Sequence, residues 1–591
     1  MLVSPFKGRE FAILSVVSML MLVGACLVSN PYYQLVFSTI PIWATLALAW
    51  NLFSGYTGLI SFGHSTFFGL GAFAVALLAI KLGVSPWIGL VVAAAIGALA
   101  AVIIGAVTFR LRGHYFALAM LAYPALFIFL FDWMGWQELT FPTRRDSPWT
   151  FMQFTDGRIP TIIGAVLTIL VLFGTLIVER SRFGLAMVSI KQNEAAAEAA
   201  GINTFRVKMI SFVISGALTG LIGGFHAATI QVATPQGVLG TIVSAQALIL
   251  SLFGGIGTLW GPLIGAVVLV PFTEALRAEL GYILPGIQGV IYGLTIMIVI
   301  IVAPEGVFWR IRDILASRGQ RHTGQSEPVA AITPPQAAAR ASFAGGDPIL
   351  TVSGLSKSFG GLKAVHDVSF SVARGGIVGI IGPNGAGKTT LFNLLNGFQR
   401  PSAGSVTFDG ANTTGKQPHE VCRLGMGRTF QVARPFTRLC VLDNVIVGAL
   451  APSDSGADAI ARARRALSLV GLLMKSDAAI SALTNVELRL LELARALTSS
   501  PKLVLLDETL AGLGAGEIEM ILPVIQALPA AGVTVIIIEH TMHAMTRLAD
   551  TFIVLDHGQV IAQGPPGEVM RRPEVVEAYL GKRWMEHHAA A

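Results

Sequence analysis

The sequence predicts a multidomain protein, with an all-α polytopic membrane domain of about ten spans followed by an α/β P-loop domain. The chain is 53% hydrophobic and only 13% charged, with a mean hydropathy of +0.69, values that are typical of membrane proteins. From Ile349 onward, strand and helix patterns alternate, as they do in a soluble α/β unit. Within that unit, residues 382–390 read Gly-Pro-Asn-Gly-Ala-Gly-Lys-Thr-Thr, which indicates a phosphate-binding loop.

The membrane domain is predicted from apolar runs of roughly twenty residues, the length that crosses a bilayer. Their boundaries are least clear in 52–75 and 240–282. We interpret the first run as a retained span, because it has no small-residue cleavage site followed by a polar mature domain. The runs lie near 11–28, 36–54, 58–80, 86–108, 115–136, 159–178, 207–231, 240–260, 261–282 and 286–303.

Basic residues orient these spans. An even number of spans places four basic clusters on one side of the membrane, as the positive-inside rule requires. Arg144 and Arg145 are the exception, since they lie in the opposite loop, 137–158. We therefore expect both ends of the domain in the cytoplasm, and the net charge of +7 indicates no nucleic-acid partner. The clustered residues are Lys7, Arg9, Arg110, Arg112, Arg180, Arg182, Lys191, Arg206, Lys208, Arg310, Arg312, Arg318 and Arg321.

Glycines recur at four-residue spacing in one of the spans. Gly216, Gly220 and Gly224 would line one face of a helix. This spacing favours close packing against another helix. The alternative is that glycine is simply common in membrane helices.

Composition divides the chain into a transmembrane domain, 1–312, a flexible linker, 313–348, and a nucleotide-binding domain, 349–591. The linker is inferred because proline, alanine and glycine dominate it. The three cysteines are widely spaced and indicate neither a metal site nor a disulfide framework.

The loop at 382–390 matches the pattern G-x-x-x-x-G-K-[ST], between a buried-strand run and a predicted helix. Its backbone N–H groups are expected to converge on phosphate oxygens at the helix N-terminus. Lys388 would neutralise the β- and γ-phosphates, and the Thr389 hydroxyl would hold Mg²⁺. The loop residues are Gly382, Pro383, Asn384, Gly385, Ala386, Gly387, Lys388, Thr389 and Thr390.

Two later strand patterns end in polar residues that suit phosphoryl transfer. Asp507 and Glu508 follow the apolar run Leu-Val-Leu-Leu, and ligands of such folds bind beyond the carboxyl ends of strands. Asp507 would position Mg²⁺, and Glu508 would orient and polarise the attacking water. His540 ends a second strand and is placed to contact the γ-phosphate, while Gln431 follows Gly-Arg-Thr-Phe. Taken singly, His540 and Gln431 also fit ordinary surface or capping roles.

Together these motifs, in this order and spacing, resemble the nucleotide-binding domain of ABC transporters over 349–581. The resemblance implies ATP and Mg²⁺ as cofactors. It assigns adenine stacking to Phe359, a link between Mg²⁺, water and the membrane domain to Gln431, and the switch histidine to His540. Thr389, Gln431 and Asp507 become the metal residues.

The family's signature, usually Leu-Ser-Gly-Gly-Gln, is altered here to Leu-Thr-Asn-Val-Glu, with Thr484, Asn485, Val486 and Glu487. Thr484 keeps a hydroxyl that is able to donate to a γ-phosphate. Val486 replaces glycine where the backbone approaches phosphate and positive φ is expected, and Glu487 adds negative charge. Thr509 likewise replaces the proline that normally follows the catalytic glutamate.

The family pairs two ATPase domains head to tail, so each ATP lies between one phosphate loop and the partner's signature. We therefore expect the site of Lys388 and Glu508 to hydrolyse ATP if the partner brings an intact signature, and the site of Val486 to be weak. The alternative is a variant that the family tolerates with full activity.

The loop 180–208 contains a helix-like run at 193–201, with Glu194, Glu198 and a terminal Gly201. It resembles the coupling helix by which importer permeases dock on their ATPase. The alternative is a generic Ala-Glu helix.

Two stretches, Trp-Asn-Leu-Phe-Ser-Gly-Tyr-Thr-Gly from position 50 and Phe-Gly-Gly-Ile-Gly-Thr-Leu-Trp-Gly-Pro from position 253, resemble permeases of branched-chain amino acid importers. That resemblance spans about 36–306. Polar residues at membrane depth are candidates for the substrate pathway, with bonding between helices as the equal alternative. The candidates are Asn51, Ser54, Tyr56 and His64.

The resemblances imply one permease and one ATP-binding subunit of an importer, fused in a multi-pass chain of a bacterial inner membrane with a cytoplasmic ATPase. The family's other components would be a second permease subunit, a second ATP-binding subunit and an extracytoplasmic substrate-binding protein, with membrane lipid around the spans. A homodimer stays open. The alternatives are an ABC exporter half, which the count and length of the spans disfavour, and a non-transporting regulatory ATPase, which only the altered signature supports.

Overall fold

The computed structural model describes two compact units. The helical unit comprises Met1–Lys191 with Phe205–Glu327, and the α/β unit comprises Gln192–Thr204 with Pro328–Ala591. The described residues are 9–28, 30–111, 113–144, 146–280, 287–302, 306, 308, 347–453 and 455–580. The predicted linker lies outside them except for its last two positions, as do Lys7, Arg112, Arg145, Arg310, Arg312, Arg318 and Arg321.

The helical unit follows the apolar runs closely. Each predicted run overlaps a helix, and eight helices among the described residues are long and apolar enough to cross a membrane, with Pro235–Gly254 counted as one. The two shorter ones are the apolar part of α1, Phe11–Leu27, and α14. The helices of this part of the chain, of which α9 belongs to the α/β unit, are α1 (Arg9–Leu27), α2 (Pro31–Trp50), α3 (His64–Lys81), α4 (Pro86–Thr108), α5 (His114–Trp133), α6 (Pro148–Phe151), α7 (Arg158–Glu179), α8 (Arg182–Gln192), α9 (Glu194–Ala199), α10 (Thr204–Ile230), α11 (Pro235–Leu239), α12 (Thr241–Gly254), α13 (Gly261–Leu280) and α14 (Ile287–Val302).

Two predicted spans were placed wrongly at one end. The run predicted at 58–80 starts as a helix only at His64, because a π-helical turn, Asn51–Gly55, extends α2 and Gly58 then takes a φ of +79°. The run predicted at 240–260 ends as a helix at Gly254, where Gly255 has a φ of +134°. Apolar composition continued through both bends, so hydropathy could not locate them.

The glycine prediction is confirmed. A β-carbon at Gly220 would collide with the carbonyl oxygen of Ala93, and one at Gly216 would crowd Ala101 on the same helix, α4. A β-carbon at Gly71 of α3 would collide with the carbonyl oxygen of Gly220. The glycines of α10 therefore permit α3 and α4 to approach its backbone.

The α/β unit contains a six-stranded sheet in the order β12-β11-β5-β10-β9-β8 and a four-stranded sheet in the order β4-β3-β6-β7. In the larger sheet, β8, β9, β10, β5 and β11 run parallel, and β12 pairs antiparallel with β11. A two-stranded ribbon, β1 with β2, belongs to the helical unit. The strands are β1 (Leu139–Thr140), β2 (Val232–Ala233), β3 (Pro348–Phe359), β4 (Leu362–Ala373), β5 (Ile377–Ile381), β6 (Ala403–Phe408), β7 (Ala411–Asn412), β8 (Met426–Arg428), β9 (Leu503–Asp507), β10 (Thr534–Ile538), β11 (Thr551–Asp556) and β12 (Gln559–Gly564).

The central strands β5, β9 and β10 are buried at every residue, as expected for parallel strands covered on both faces. Because they run parallel, their carboxyl ends meet at one edge of the sheet, which is where ligands of such folds bind. The helices of this unit are α15 (Lys388–Leu395), α16 (Pro418–Arg423), α17 (Val441–Ala449), α18 (Gly456–Leu469), α19 (Asn485–Leu497), α20 (Ala515–Ala527), α21 (Met542–Leu548), α22 (Pro566–Val569) and α23 (Pro573–Leu580).

Candidate functional site

The phosphate loop connects β5 to α15 and is built by its glycines. Gly387 caps α15 with a φ of +95°, and a β-carbon there would collide with the carbonyl oxygen of Ala364. A β-carbon at Gly382 would collide with Leu555 in the same way. Only glycine fits both positions, so the loop backbone reaches the helix N-terminus with its N–H groups available for an anion.

The Lys388 ammonium is held against the loop. It donates to the carbonyl oxygens of Gly382 at 2.7 Å and Pro383 at 2.9 Å. Burial lowers the pKa of Lys388, and the charges of Glu508 and Asp507 act in the opposite direction. The cation is thus fixed beside the two carboxylates rather than extended into solvent.

A cavity of about 590 Å³ gathers most of the residues predicted from the sequence. Phe359 lies at its exposed side, with the Lys357 ammonium 5.3 Å from the centroid of its ring. His557, from the turn between β11 and β12, also lines the cavity and was missed by the sequence analysis, because no motif marks it. The lining residues are Phe359, Leu362, Lys363, Ala364, Asn384, Gly385, Ala386, Gly387, Lys388, Thr389, Thr390, Glu508, His540 and His557.

Glu508 brings the catalytic candidates together. Its Oε2 accepts a hydrogen bond from Gln431 Nε2 at 2.6 Å, and its Oε1 lies 2.7 Å from His540 Nε2. Its backbone has a φ of +47°, a conformation that costs energy for a residue with a side chain. The backbone N–H of Glu508 donates to the carbonyl oxygen of Ile538 at 2.9 Å, which holds that conformation.

Asp507 has one oxygen occupied and one open. Its Oδ2 accepts from Arg428 at 3.0 Å in a pair whose side chains are 2% and 3% exposed. Its Oδ1 is buried and has no hydrogen-bond partner among the described residues. Burial raises the pKa of Asp507, and the Arg428 charge opposes that shift. A buried carboxylate oxygen without a partner among the described residues fits a divalent cation that takes oxygen ligands.

Arg428 is a second residue that the sequence analysis missed. It ends β8, three residues before Gln431, and it also donates to Asn393 Oδ1 at 2.7 Å. The signal was present in Gly-Arg-Thr-Phe, since an arginine at the end of an apolar strand needs a buried carboxylate as its partner.

The altered signature forms a closed helix start. Thr484 Oγ1 accepts from the backbone N–H of Glu487 at 3.3 Å, and Glu487 Oε2 accepts from the N–H of Thr484 at 3.0 Å, which is a capping box. Glu487 Oε1 also accepts from Lys475 at 2.6 Å. The charge of Glu487 is therefore paired within the unit.

The expectation of positive φ at position 486 is wrong. Val486 is the second residue of α19, is 2% exposed, and is not one of the described residues with positive φ. Asn485 opens the same helix, so valine takes ordinary helical dihedrals here and buries its side chain. No backbone strain follows from the substitution.

The predicted coupling helix is α9. Asn193 Oδ1 caps it by accepting from the N–H of Ala196 at 2.9 Å. Glu194 and Glu198 both accept from Thr204 Oγ1, at 3.1 and 2.8 Å, and Gly201 has a φ of +87°. These contacts fold 193–204 into a closed turn.

This turn is packed within the α/β unit. The carbonyl oxygen of Gly201 accepts from Arg423 Nε at 3.3 Å, and Asn203 Nδ2 lies 3.0 Å from His419 Nε2. Both partners belong to α16. A β-carbon at Gly201 would also crowd Ala451, so glycine is required where the turn lies against this surface.

Asn51, one of the polar candidates of the helical unit, has its hydrogen-bond partners in a distant loop. Asn51 Nδ2 donates to the carbonyl oxygen of Thr258 at 2.9 Å, and Asn51 Oδ1 accepts from the N–H of Gly257 at 2.8 Å. Both ends of the amide are thus used to join the π-helical turn to the loop before α13. This geometry favours the alternative of bonding between helices.

The remaining candidates are also enclosed. His64 lies with Nδ1 2.9 Å from Ser61 Oγ and Nε2 2.8 Å from Ser215 Oγ, and Ser54 Oγ accepts from the N–H of Ser61 at 3.3 Å. Tyr56 is 2% exposed. His64 therefore links α3 to α10, and Ser54 links the π-helical turn to the loop before α3. For these two residues, the contacts favour the structural alternative over a substrate pathway.

Three family models match separate parts of the chain. "Branched-chain amino acid transport system / permease component" matches residues 32–300, "ABC transporter" matches 365–511, and "Branched-chain amino acid ATP-binding cassette transporter" matches 559–584.

Curated relatives match the α/β unit. A probable branched-chain amino acid transport ATP-binding protein LivG of Archaeoglobus fulgidus is 37% identical over 248 residues, which are 39% of this chain and 95% of the relative. The high-affinity branched-chain amino acid transport ATP-binding protein BraF of Pseudomonas aeruginosa is 36% identical over 251 residues, 40% of this chain and 98% of the relative.

A solved structure, a nucleotide-free ATP-binding cassette from an ABC transporter, is 33% identical and covers 40% of this chain and 100% of its own, with a TM-score of 0.37. The permease match and the cassette matches follow one another along a single polypeptide. The chain therefore belongs to the family of branched-chain amino acid ABC transporters, with permease and ATP-binding cassette fused.

Proposed function

We propose that this chain uses ATP hydrolysis to import branched-chain amino acids or chemically related amino acids, amides or small carboxylates. One observation carries the proposal. A permease region, 32–300, precedes a cassette in which Lys388, Glu508 and His540 line one cavity and Gln431 bonds to Glu508. The substrate class follows from the names of the relatives, whereas the ATP chemistry follows from the site.

ATP would be bound by stacking of its adenine on Phe359 and by the N–H groups of 382–390 around its phosphates. Lys388 would neutralise the β- and γ-phosphates. Glu508 orients and polarises a water that attacks the γ-phosphorus, the bond to the ADP oxygen breaks, and inorganic phosphate leaves. His540 and Gln431 hold the Glu508 carboxylate in place from its two oxygens.

The open oxygen of Asp507 makes it the first candidate ligand of Mg²⁺, with Thr389 and Gln431 completing the set of protein groups. When bound, Mg²⁺ would neutralise charge on the β- and γ-phosphate oxygens. The transmembrane, linker and nucleotide-binding parts would be 1–312, 313–348 and 349–591.

A second cassette would complete the site. The signature segment, defined here as 484–487, would face the partner's ATP, while the partner's signature would close over Lys388. Because Val486 and Glu487 depart from the family pattern, we infer that the site using this segment is the weaker one. This favours a heteromer with a second permease and a second ATP-binding subunit, in addition to an extracytoplasmic substrate-binding protein.

Two reasons for that weakness do not hold, since Val486 is unstrained and Glu487 is paired with Lys475. What still supports it is the sequence difference itself, because valine stands where the family has glycine. Closure of the two cassettes would be passed through Gln431 and α9 to the spans. We place the chain in the inner (plasma) membrane of a bacterium, with the cassette in the cytoplasm.

The first experiment is Lys388→Ala in the full chain, reconstituted in proteoliposomes with its co-purifying subunits and binding protein. We expect ATP-dependent uptake of radiolabelled leucine or a related amino acid to fall to background, because Lys388 is the lysine that the phosphate loop itself holds at the phosphate position. Lys416→Ala, which changes a lysine outside the cavity, is the matched control and should transport normally.

Unchanged uptake with Lys388→Ala would overturn the assignment. Efflux of the same substrate instead of uptake would favour an exporter. Nucleotide-dependent binding of partner subunits without transport of any ligand would favour a regulatory ATPase.

A further inference from the structure

One face of α19 holds the segment that carries Gln431. Arg489, Glu492 and Arg495 follow at intervals of three along this helix, so their side chains share one side of it. We call the three the clamp face. Each of the three contacts residues 430–436, which we call the Q segment.

Arg489 holds the start of the Q segment. Its Nη1 donates to the carbonyl oxygen of Gln431 at 2.6 Å and to that of Phe430 at 3.2 Å. A guanidinium bridging two consecutive carbonyls fixes the backbone from which the Gln431 side chain extends. The orientation of Gln431 therefore depends on a residue of α19.

Glu492 and Arg495 hold the other end. Glu492 Oε1 accepts from the N–H of Arg434 at 3.3 Å, and Arg495 Nη1 donates to the carbonyl oxygen of Arg434 at 2.9 Å. Arg495 Nη2 also lies 3.3 Å from Glu492 Oε1, and its guanidinium carbon is 4.8 Å from the centroid of the Phe436 ring. Both side chains are buried, so this pairing is shielded from water.

The same helix begins at the signature segment. Thr484 caps α19, and Arg489 lies about 7.5 Å further along the axis at the rise of an α-helix. A helix is stiff over one and a half turns. Displacement of Thr484 therefore moves the Arg489 guanidinium, which donates to the carbonyl oxygen of Gln431.

We propose that Arg489 is a positioning residue for hydrolysis, which makes the contact between Gln431 and Glu508 depend on the position of the signature segment of the same chain. ATP bound at the partner's phosphate loop therefore changes the contact that Gln431 makes with Glu508, the catalytic glutamate of this chain. The inference rests on the proposed function, because the signature segment meets ATP only in the paired cassettes.

The test is Arg489→Met in the full chain, purified in nanodiscs with its co-purifying subunits. Methionine keeps the aliphatic length and removes the donors to both carbonyls. We expect the kcat of ATP hydrolysis to fall about tenfold, in line with loss of a charge-assisted hydrogen bond. KM for ATP should stay within about twofold, because the phosphate loop is untouched. Arg464→Met, on the exposed side of α18, is the matched control.

A double-mutant cycle separates positioning from loss of packing. In a Gln431→Ala background, Arg489→Met should add less than a twofold further loss, because the side chain it positions is already absent. Arg489→Lys, which keeps a cation, should recover part of kcat and allows the measurement if the methionine variant does not fold.

Three results would overturn the proposal. They are an equal loss with and without Gln431, a rise in KM with kcat unchanged, and no loss for either Arg489 variant. Failure of the proposed function is recognised separately, because Lys388→Ala would then leave ATP hydrolysis intact in the same preparation.

Discussion

The two halves of the nucleotide machinery in this cassette differ in how completely their polar groups are used. On the phosphate-loop side, the loop 382–390 keeps the family pattern, yet buried acceptors such as Oδ1 of Asp507 have no hydrogen-bond partner among the described residues. In the signature segment, the family pattern is altered, yet Thr484 and Glu487 have hydrogen-bond partners. The two residues bond to each other, and Lys475 donates to Glu487. The phosphate-loop side therefore has polar groups available for a ligand, whereas the signature segment is first a stable start of a helix.

The largest effect should come from Glu508→Gln, which changes the group at the centre of the phosphate-loop side. The amide keeps the shape but offers only one acceptor to Gln431 and His540 and cannot polarise water. We expect ATP hydrolysis by the assembled complex to fall at least about 100-fold, with nucleotide binding retained. Phosphate release measures ATP hydrolysis, and equilibrium binding of ATP measures whether the nucleotide is still bound. Glu568→Gln, in an exposed first turn, is the control.

The same experiment tests the inequality of the two sites. The equivalent carboxylate of the partner cassette is changed in parallel, and the two losses are compared. The partner's carboxylate acts at the ATP site that faces the signature segment of this chain. If its change causes the larger loss of hydrolysis, that site is the stronger one, and the proposed inequality is wrong.

A second open group on the phosphate-loop side, Glu539, should give the next effect. Its Oε1 accepts from the N–H of Leu510 at 2.5 Å, and its Oε2 is buried without a partner among the described residues. Burial raises the pKa of Glu539 to about 7. The pKa of Glu539 is higher in the folded state than in the unfolded state. Its contribution to the free energy of unfolding is therefore fully present at acid pH and is lost as the pH rises through about 7.

Glu539→Gln should remove this pH-dependent loss, because the amide oxygen still accepts from Leu510 and no charge forms. We expect the variant to be more stable than the parent by about 3 kcal/mol at pH 8, with little difference near pH 5. Apparent melting temperatures of the full chain in nanodiscs measure this difference in stability, and Glu568→Gln is the matched control variant. An equal difference at both pH values would show that Glu539 is not protonated in the fold.

Much of the architecture could be predicted from the sequence because it depends on local pattern. The spans follow from apolar length, and the phosphate loop follows from glycines that no other residue replaces. Glu508 and His540 could be predicted to converge because parallel strands end at one edge, whereas the role of Gln431 was implied only by the family resemblance. Their contacts in the structure agree with that expectation.

What could not be predicted depends on distant parts of the chain. Arg428 and Asp507 are far apart in sequence, and only the neighbouring strands β8 and β9 bring them together. The π-helical turn after α2 is stabilised by Asn51 bonding to the loop before α13, which no local pattern shows. The signature was misjudged for the opposite reason, since a family comparison suggested positive φ at Val486, whereas capping by Thr484 makes it helical.

The smallest effect, and the closest test of the comparison, is Thr484→Ala. The variant removes an N-cap, so we expect the α/β unit to lose about 1 kcal/mol of stability, and Thr484→Ser should restore it. If the segment is mainly a helix start, ATP hydrolysis should fall no more than about threefold, the effect of one neutral hydrogen bond. A loss well beyond this that serine restores would mean that the hydroxyl also donates to the partner's γ-phosphate. The signature segment would then be a ligand surface like the phosphate loop, and the difference between the two halves would rest on Val486 alone.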